Sequence, residues 1–265
     1  MVPSISTRQD GRGAGGESLI SRAFTLLEVF RQNRRSVTLS ELSRFSGIPV
    51  SSTLRLARQL MAVGALDRDE DGHFTIGQRL WEIASLAPGP STLTEIALPY
   101  MRDLSAGGRQ HVVLAAPVGH EALMLERLSP SRLFPPLYRK GSRLPLFSTG
   151  VGRVLLAHAP HEVEAALLTR PLVVEPEHEL LDAGLFRRDL ALVRRTDMAA
   201  VTRSAGLRTL AVAVPVREPH GTVVAALGVV LSLPDDVFAA PPAVVRSLRS
   251  AATAISEALT FGAAN

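Results

Sequence analysis

The chain has 265 residues, of which 46% are hydrophobic and 20% are charged, so it is long enough for two domains with separate cores and too apolar for a disordered protein. The absence of cysteine excludes disulfides, cysteine–zinc sites and a thiol nucleophile, and the longest apolar run, Val223 to Leu231, is too short to cross a bilayer. The net charge is +4, yet the seven arginines and two acids between Ser18 and Gly64 make that segment alone +5, which is the basic field that phosphate binding requires.

The N-terminal residues 1–17 are rich in Gly, Ser and Arg and predict a disordered tail. They hold no apolar stretch of the kind that a signal peptide contains. Together with the missing cysteines, which fit a reducing compartment, this predicts a cytoplasmic protein with no membrane partner.

Three helices are predicted next. Apolar residues recur at helical spacing over 19–32. Thr38 and Glu41 have the spacing of a capping box, which predicts the start of a short second helix that Gly47 ends. A third helix is predicted from Pro49, in its first turn, to about residue 63.

A strand, an Asp-Gly turn and a second strand follow over residues 65–76. Three helices and a hairpin in such a short stretch are typical of a winged helix-turn-helix, which we assign to residues 18–77. A short helix and the sequence Pro-Gly-Pro then predict a linker helix and hinge at residues 78–92.

Residues 93–262 are predicted to form a second domain. Here the hydrophobic period changes to two, and hairpin turns and amphipathic helices alternate, which indicates an α+β fold with helices packed on an antiparallel sheet. The predicted strands are 111–116, 122–127, 209–216 and 222–231, and the predicted helices are 92–105, 150–158, 161–168, 182–195 and 241–261.

The third helix carries the pattern of a DNA-reading element. In a helix-turn-helix the second helix of the pair enters the major groove by its N-terminal end. Ser51, Ser52 and Thr53 are short enough to let that end approach the bases, and Arg55 and Arg58 follow one turn later, where they can reach phosphate or guanine. The helix contains no acid that would face the phosphates.

Thr38 and the wing residue Arg68 complete the predicted DNA-binding set. The acidic wing tip at 69–71 argues against deep insertion of the tip itself. The alternative interpretation is that Ser51 only caps the helix and that its neighbours only tolerate a helix start. The capping box, turn, arginines and wing together favour binding of double-stranded DNA, with two copies of the chain on a palindromic operator.

With these residues identified, the chain resembles the IclR family of bacterial transcriptional regulators from Ser18 to about Leu259. The run LSELSRFSGIPVSSTLRLARQLMAVGALDRDEDGHFTIGQRLWEIA resembles the family's winged helix-turn-helix and linker helix, RKGSRLPLFSTGVGRVLLA resembles the signature at the start of its effector domain, and GLRTLAVAVPV and VVAALGVVLS resemble its pocket-lining strands. The resemblance implies a GAF-like C-terminal domain that binds a small molecule, a homodimer through the N-terminal domains, and often a homotetramer.

The sequence departs from the family pattern at several positions. Val50 replaces a basic residue after the turn proline, Thr209 stands where a cysteine is frequent, and Gly228 and Val230 correspond to two frequent pocket serines. No acid occurs from residue 198 to 217, where the family usually has an acidic cluster. We therefore expect a pocket that is more apolar and less negative than a site for a small hydroxylated acid.

The predicted effector is an organic acid with a hydrophobic or aromatic body. Its carboxylate is expected on the amides of Gly150–Gly152, where free N–H groups begin a helix, with Arg203 as an additional contact. The alternatives are a tight loop capped by Thr149, and Arg203 as a plain surface residue. The predicted effector site comprises Leu133, Pro136, Thr149, Gly150, Val151, Arg203, Thr209, Gly228 and Val230.

No enzymatic site is predicted, because the sequence lacks a nucleophile elbow, a P-loop and a convincing carboxylate pair with a base. His158 and His161 have a metal-like spacing, but Pro160 separates them and no third ligand is near, so we expect exposed loop histidines, no metal and no cofactor. The remaining alternative is a DNA-binding protein whose C-terminal domain only oligomerises.

Overall fold

A computed structural model describes residues 18–31, 34–86, 90–106, 110–129, 138–169, 171–174, 179–203, 208–232 and 239–262. The chain divides into two units, Met1–Pro88 and Gly89–Asn265, and this boundary falls within the predicted hinge at 78–92. The predicted tail at 1–17 lies outside the described residues. Among the helices of the described ranges, none is both long and apolar enough to cross a membrane.

The first unit is a winged helix-turn-helix, as predicted. Its strands β1 and β2 pair antiparallel with Asp67 opposite Thr75, and Val37 adds a bridge to Phe74 beside them. The elements are α1 (Leu19–Glu28), a 3-10 turn (Val29–Arg31), α2 (Leu39–Ser46), α3 (Val50–Ala62), β1 (Leu66–Arg68), β2 (Phe74–Ile76) and α4 (Gln78–Ser85).

A single hydrophobic cluster holds these elements together. One large buried side chain comes from each of α1, α2, α3, β1 and β2, namely Leu26, Leu42, Leu56, Leu66 and Phe74. The predicted capping box is present at the start of α2: the Thr38 hydroxyl accepts from the Glu41 N–H at 3.2 Å, and the Glu41 carboxylate accepts from the Thr38 N–H at 2.8 Å. Gly47, with φ of 69°, ends that helix.

Gly77 fixes the start of α4 against the wing. Its N–H donates to the Ala65 carbonyl at 3.0 Å. A Cβ at this position would collide with the carbonyl oxygen of Gly64, so the two backbone segments pack closer than any other residue would allow.

The second unit is built on a six-stranded antiparallel sheet with the strand order β5–β4–β3–β10–β9–β8. Two short strands, β6 and β7, pair separately. Strands β5 and β8 extend the predicted sheet at its two edges. The elements are α5 (Pro90–Ala106), β3 (His111–Val118), β4 (Glu121–Leu128), β5 (Arg143–Pro145), α6 (Gly150–Ala157), α7 (His161–Leu167), β6 (Val173–Val174), β7 (Glu179–Leu180), α8 (Ala183–Thr196), β8 (Ala199–Arg203), β9 (Thr209–Arg217), β10 (Val223–Ser232) and α9 (Pro242–Gly262).

Helices cover both faces of the sheet, and each face has its own core. Val113 and Ala115 of β3 pack with α6 and α8 on one face, which we call the α6 face. Val112 and Leu114 pack with α5 and α9 on the other, the α9 face. The alternation follows from the two-residue period of a strand, so the position of any strand residue tells which face it occupies.

Candidate DNA-binding surface and effector site

The N-terminal end of α3 is exposed and has no side-chain cap. Pro49, and not Ser51, is the N-cap residue, one position before the predicted first turn, and proline offers no side-chain acceptor. The first backbone hydrogen bond of the helix runs from the Thr53 N–H to the Pro49 carbonyl at 2.9 Å. The N–H groups of residues 50–52 therefore have no acceptor within the helix and point out of its end. This end is positive because of the helix dipole.

Ser51, Arg55 and Arg58 form one exposed ridge along α3. Their spacing of four and then three residues places them on the same side of the helix, and all three are exposed. Ser52 is half-buried at the margin of this ridge. The arrangement presents hydroxyl and guanidinium groups to the outside, with no acid on the helix.

Thr53 does not belong to this ridge, and the prediction that it contacts DNA is wrong. It is 0% exposed and lies on the inner side of α3 with Leu56 and Ala57. Its hydroxyl donates to the Ile48 carbonyl at 3.0 Å, and the Ser43 hydroxyl donates to the same carbonyl at 2.7 Å. The two bonds tie the turn to both helices, so Thr53 has a structural role.

The hydroxyl of Thr38 is likewise committed within the protein. Besides accepting from the Glu41 N–H, it donates to the Glu41 carboxylate at 3.0 Å, and these hydrogen bonds from Thr38 are the main reason why the pKa of Glu41 is lowered. The predicted DNA contact through this hydroxyl is therefore replaced by helix capping.

Arg68 lies on the wing as predicted. Its Nε donates to the Gly72 carbonyl at 3.0 Å, and its guanidinium lies 5.2 Å from the centroid of the Phe74 ring. Both contacts hold the exposed side chain along the hairpin, so the positive charge stays at the wing surface.

Sequence reasoning did not single out a second basic group beside the turn. The guanidinium carbon of Arg34 lies 3.5 Å from the centroid of the Phe45 ring, and that of Arg44 lies 4.5 Å from it. Phe45 is 39% exposed, so the ring holds two cations at the surface of α2. The signal available in the sequence was the local excess of arginine.

Strand register brings several predicted effector residues to one region of the α6 face. Arg203 on β8 lies directly opposite Thr209 on β9, and Val230 on β10 lies opposite Ala211 on β9. Gly228 is two residues from Val230 and therefore faces the same way. Leu133 and Pro136, also predicted to contact the effector, lie outside the described residues.

The N-terminus of α6 differs from the predicted anion site. Thr149 is its N-cap: the hydroxyl accepts from the Gly152 N–H at 3.1 Å and donates to the Pro145 carbonyl at 2.9 Å. The Gly152 amide is thus not open to a carboxylate, and this part of the prediction is wrong. The glycines permit close packing, because a Cβ at Gly150 would lie 3.3 Å from the Ala211 Cβ and one at Gly152 would lie 2.5 Å from the Pro145 oxygen.

Three polar residues of the α6 face were missed by sequence reasoning. Arg127 on β4 lies opposite Val113, its Nη1 donates to the Tyr138 carbonyl at 3.2 Å, and its Nη2 lies 3.5 Å from Nδ1 of His111. Nδ1 of His111 is also 2.7 Å from the Ser129 hydroxyl. These side chains come from separate strands and a loop, and only the strand register places them together.

Burial dominates the electrostatics of this group. It lowers the pKa of His111, with the Arg127 charge as the second cause, and it lowers the pKa of Arg127 itself. Burial also raises the pKa of the Tyr138 hydroxyl, while the charge of Arg203 acts in the opposite direction. Arg127 and Arg203 therefore both lie near Tyr138, and they give this region a positive character.

His158 is not the exposed loop histidine that the sequence predicted. Its side chain is 15% exposed, and its Nε2 lies 3.2 Å from the Asp197 carboxylate without hydrogen-bond geometry. Asp197 also accepts from Arg217 at 2.8 Å. Burial, and then the charge of Arg217, lowers the pKa of His158. Among the described residues, no group of three or more potential ligands could hold a metal ion.

Comparison with known proteins decides the family. The family model described as the IclR helix-turn-helix domain matches residues 19–70, and the model described as the bacterial transcriptional regulator IclR C-terminal matches residues 90–257. The chain belongs to the IclR family. It is a DNA-binding transcriptional regulator of the IclR type and not an enzyme.

Individual IclR proteins are similar over most of their length. The transcriptional repressor IclR of Escherichia coli is 26% identical over 83% of this chain and 82% of its own. The p-hydroxybenzoate hydroxylase transcriptional activator of Acinetobacter baylyi is 26% identical over 78% of this chain and 79% of its own. The crystal structure of an IclR homolog complexed with 4-hydroxybenzoate from Microbacterium hydrocarbonoxydans is 35% identical, covers 91% of this chain and 99% of its own, and has a TM-score of 0.81.

Proposed function

We propose that this IclR-type regulator binds a palindromic operator in the cytoplasm as a homodimer or homotetramer, and that an organic acid bound to the second unit changes its operator affinity. The observation that carries the DNA part is the exposed ridge on α3. Ser51 and Arg55 of the ridge, with Ser52 at its margin, read base edges, and Arg58 together with Arg68 of the wing contacts phosphates.

Two copies of the ridge are needed because one unit makes few contacts. On a palindromic operator two recognition helices occupy successive major grooves about 34 Å apart. An effector acts by favouring an arrangement with a different spacing, and its effect is limited to its difference in affinity for the two arrangements.

Selection of duplexes from a random pool, followed by fluorescence anisotropy, tests the DNA part. We expect an inverted repeat with half-sites about one helical turn apart, and an affinity that falls steeply as salt is raised. Flat anisotropy at low salt, or a selected site without symmetry, would reject it.

The positive region around Tyr138 supports an acid as the effector. Arg127 and Arg203 lie there, and the segments 127–161 and 198–217 that supply most of the region contain no acidic residue. The IclR homolog of 35% identity is complexed with 4-hydroxybenzoate, and a second relative is the activator of p-hydroxybenzoate hydroxylase. We therefore propose an acid with an aromatic or other apolar body, in contact with Val230, Thr209 and the predicted residues Leu133 and Pro136.

Thermal unfolding with a panel of benzoate, 4-hydroxybenzoate, 3,4-dihydroxybenzoate and hexanoate tests the effector part. A ligand that binds only the folded state raises the melting temperature, and the rise grows with the logarithm of its concentration relative to its dissociation constant. We expect at least one acid to raise it and also to shift the midpoint of operator binding. If none does, the proposed acid effector is rejected, and the alternative of a second unit that only oligomerises is favoured.

A further inference from the structure

Arg127 is a partly buried cation of the second unit whose described contacts are a backbone carbonyl and a histidine ring. Its side chain is half-buried on the α6 face, where Nη1 donates to the carbonyl of Tyr138 and Nη2 lies near the ring of His111. Burial and the neighbouring guanidinium both lower the pKa of this imidazole. Neither contact supplies a negative charge.

The neighbouring carboxylate does not supply one either. Glu126 lies opposite Leu114 on the α9 face, whereas Arg127 lies opposite Val113 on the α6 face. The Glu126 carboxylate pairs with Lys140 at 2.8 Å and accepts from the backbone N–H of Arg127 at 2.9 Å. Within the part of the chain that the structure describes, Arg127 forms no ion pair.

A partly buried cation that is not paired with a described carboxylate carries a desolvation cost, and functional sites often keep such a charge because they use it. A guanidinium presents a planar pair of donors that matches a carboxylate. The contacts to Tyr138 and His111 fix its orientation in advance, which lowers the cost of ordering it when a ligand binds.

We propose that Arg127 binds the carboxylate of the effector and thereby makes the second unit select acids over neutral analogues of the same shape. This inference rests on the proposed function. It assigns the carboxylate of the effector to a side chain on β4 instead of to the α6 amides, because one of those amides already donates to the Thr149 hydroxyl. The charge of Arg203 also acts on Tyr138, so Arg203 lies in the same region.

Calorimetric titration of the full chain with 4-hydroxybenzoate and with its neutral isostere 4-hydroxybenzamide tests the proposal. We expect the wild type to bind the acid more tightly than the amide. Arg127→Gln should weaken acid binding by about tenfold to hundredfold and amide binding by much less, because the acid loses a charge-assisted pair and the amide loses only a neutral acceptor's hydrogen bond. Arg187→Gln, which removes an exposed charge of α8, is the matched control and should bind both ligands as the wild type does.

Folding of the variants is checked by circular dichroism and by amide binding, which a misfolded site would lose. If Arg127→Gln does not fold, Arg127→Lys keeps the charge without the paired donors, and an intermediate acid affinity is expected from it.

The outcomes separate this inference from the proposed function. If the wild type binds neither 4-hydroxybenzoate nor another acid of the panel, the effector part of the proposed function fails and this inference fails with it. If the wild type binds an acid and the Arg127 variants bind it equally well, the proposed function stands and Arg127 is rejected as the carboxylate ligand.

Discussion

The side chain of Val151 occupies the space that a side chain at Gly228 would need. A Cβ at Gly228 would lie 3.0 Å from Cγ1 of Val151 and 3.2 Å from Cγ2 of Val113. The packing of α6 on the sheet therefore favours glycine at position 228, because a side chain would force these neighbours to move by a few tenths of an ångström. Gly228 corresponds to a frequent pocket serine of the family pattern, and the methyl groups of Val151 lie where that serine side chain would be, so this part of the α6 face is apolar.

Gly228→Ser should therefore destabilise the second unit. Inserting a side chain into a packed core typically costs about 1–3 kcal/mol, and we expect a loss of that order in the free energy of unfolding. Val151→Ala removes the colliding methyl groups, so the double variant should recover part of the loss. Urea unfolding of the single and double variants gives the coupling free energy between the two positions. If the two losses in unfolding free energy simply add, the packing argument is contradicted.

Arg55→Ala should weaken operator binding by about 1–3 kcal/mol, because Arg55 stands in the middle of the exposed ridge of α3. A gel-shift titration on the selected operator measures the change. Arg187→Ala removes an equally exposed charge from α8 and serves as the control. An unchanged midpoint of operator binding for Arg55→Ala would show that this residue does not contribute to operator binding.

Thr53→Val and Ser51→Ala should have opposite effects. The first removes a buried donor from the Ile48 carbonyl, which keeps its bond from Ser43, so we expect a loss of about 1 kcal/mol in stability and unchanged operator affinity for the folded protein. The second leaves stability within about 0.5 kcal/mol and weakens DNA binding. Thermal unfolding and anisotropy on both variants check this; weakened DNA binding by a fully folded Thr53→Val would contradict the buried role.

The free energy of unfolding should decrease as the pH is lowered through the range in which His158 of the unfolded chain becomes protonated. The pKa of this residue is lowered from 6.5 in the folded state, so the unfolded state binds the proton first. The stabilisation is complete above about pH 6.5 and is lost as the pH drops toward the lower, folded pKa. His158→Asn should reduce the fall in melting temperature between pH 7.5 and 5.5. An equal fall in both proteins would contradict the assignment.

The first unit could be predicted in detail because its signals are local. The capping box at Thr38 and Glu41, the turn at Gly47 and the Asp-Gly hairpin each depend on residues within a few positions of one another. The error at Thr53 arose because a hydroxyl one residue from the exposed ridge looks the same in the sequence whether it faces solvent or a buried carbonyl.

The second unit was less predictable because its site is assembled across strands. Arg127 and His111 meet through the pairing of β4 with β3, and periodicity gives the face of each strand but not its partner. The glycines at 150 and 152 illustrate a second limit: close packing on a sheet and close approach of a ligand select the same residue type, and only coordinates separate them.

The missing side-chain cap of α3 has a consequence for how this regulator distinguishes binding registers. Where a duplex phosphate meets that helix end, the main-chain amides of residues 50–52 gain acceptors that the protein itself does not provide. A duplex that is shifted relative to this helix end would lose all of these hydrogen bonds at once. We therefore expect part of the free-energy penalty for a misaligned duplex to come from the peptide backbone, which substitutions that only change side chains do not alter.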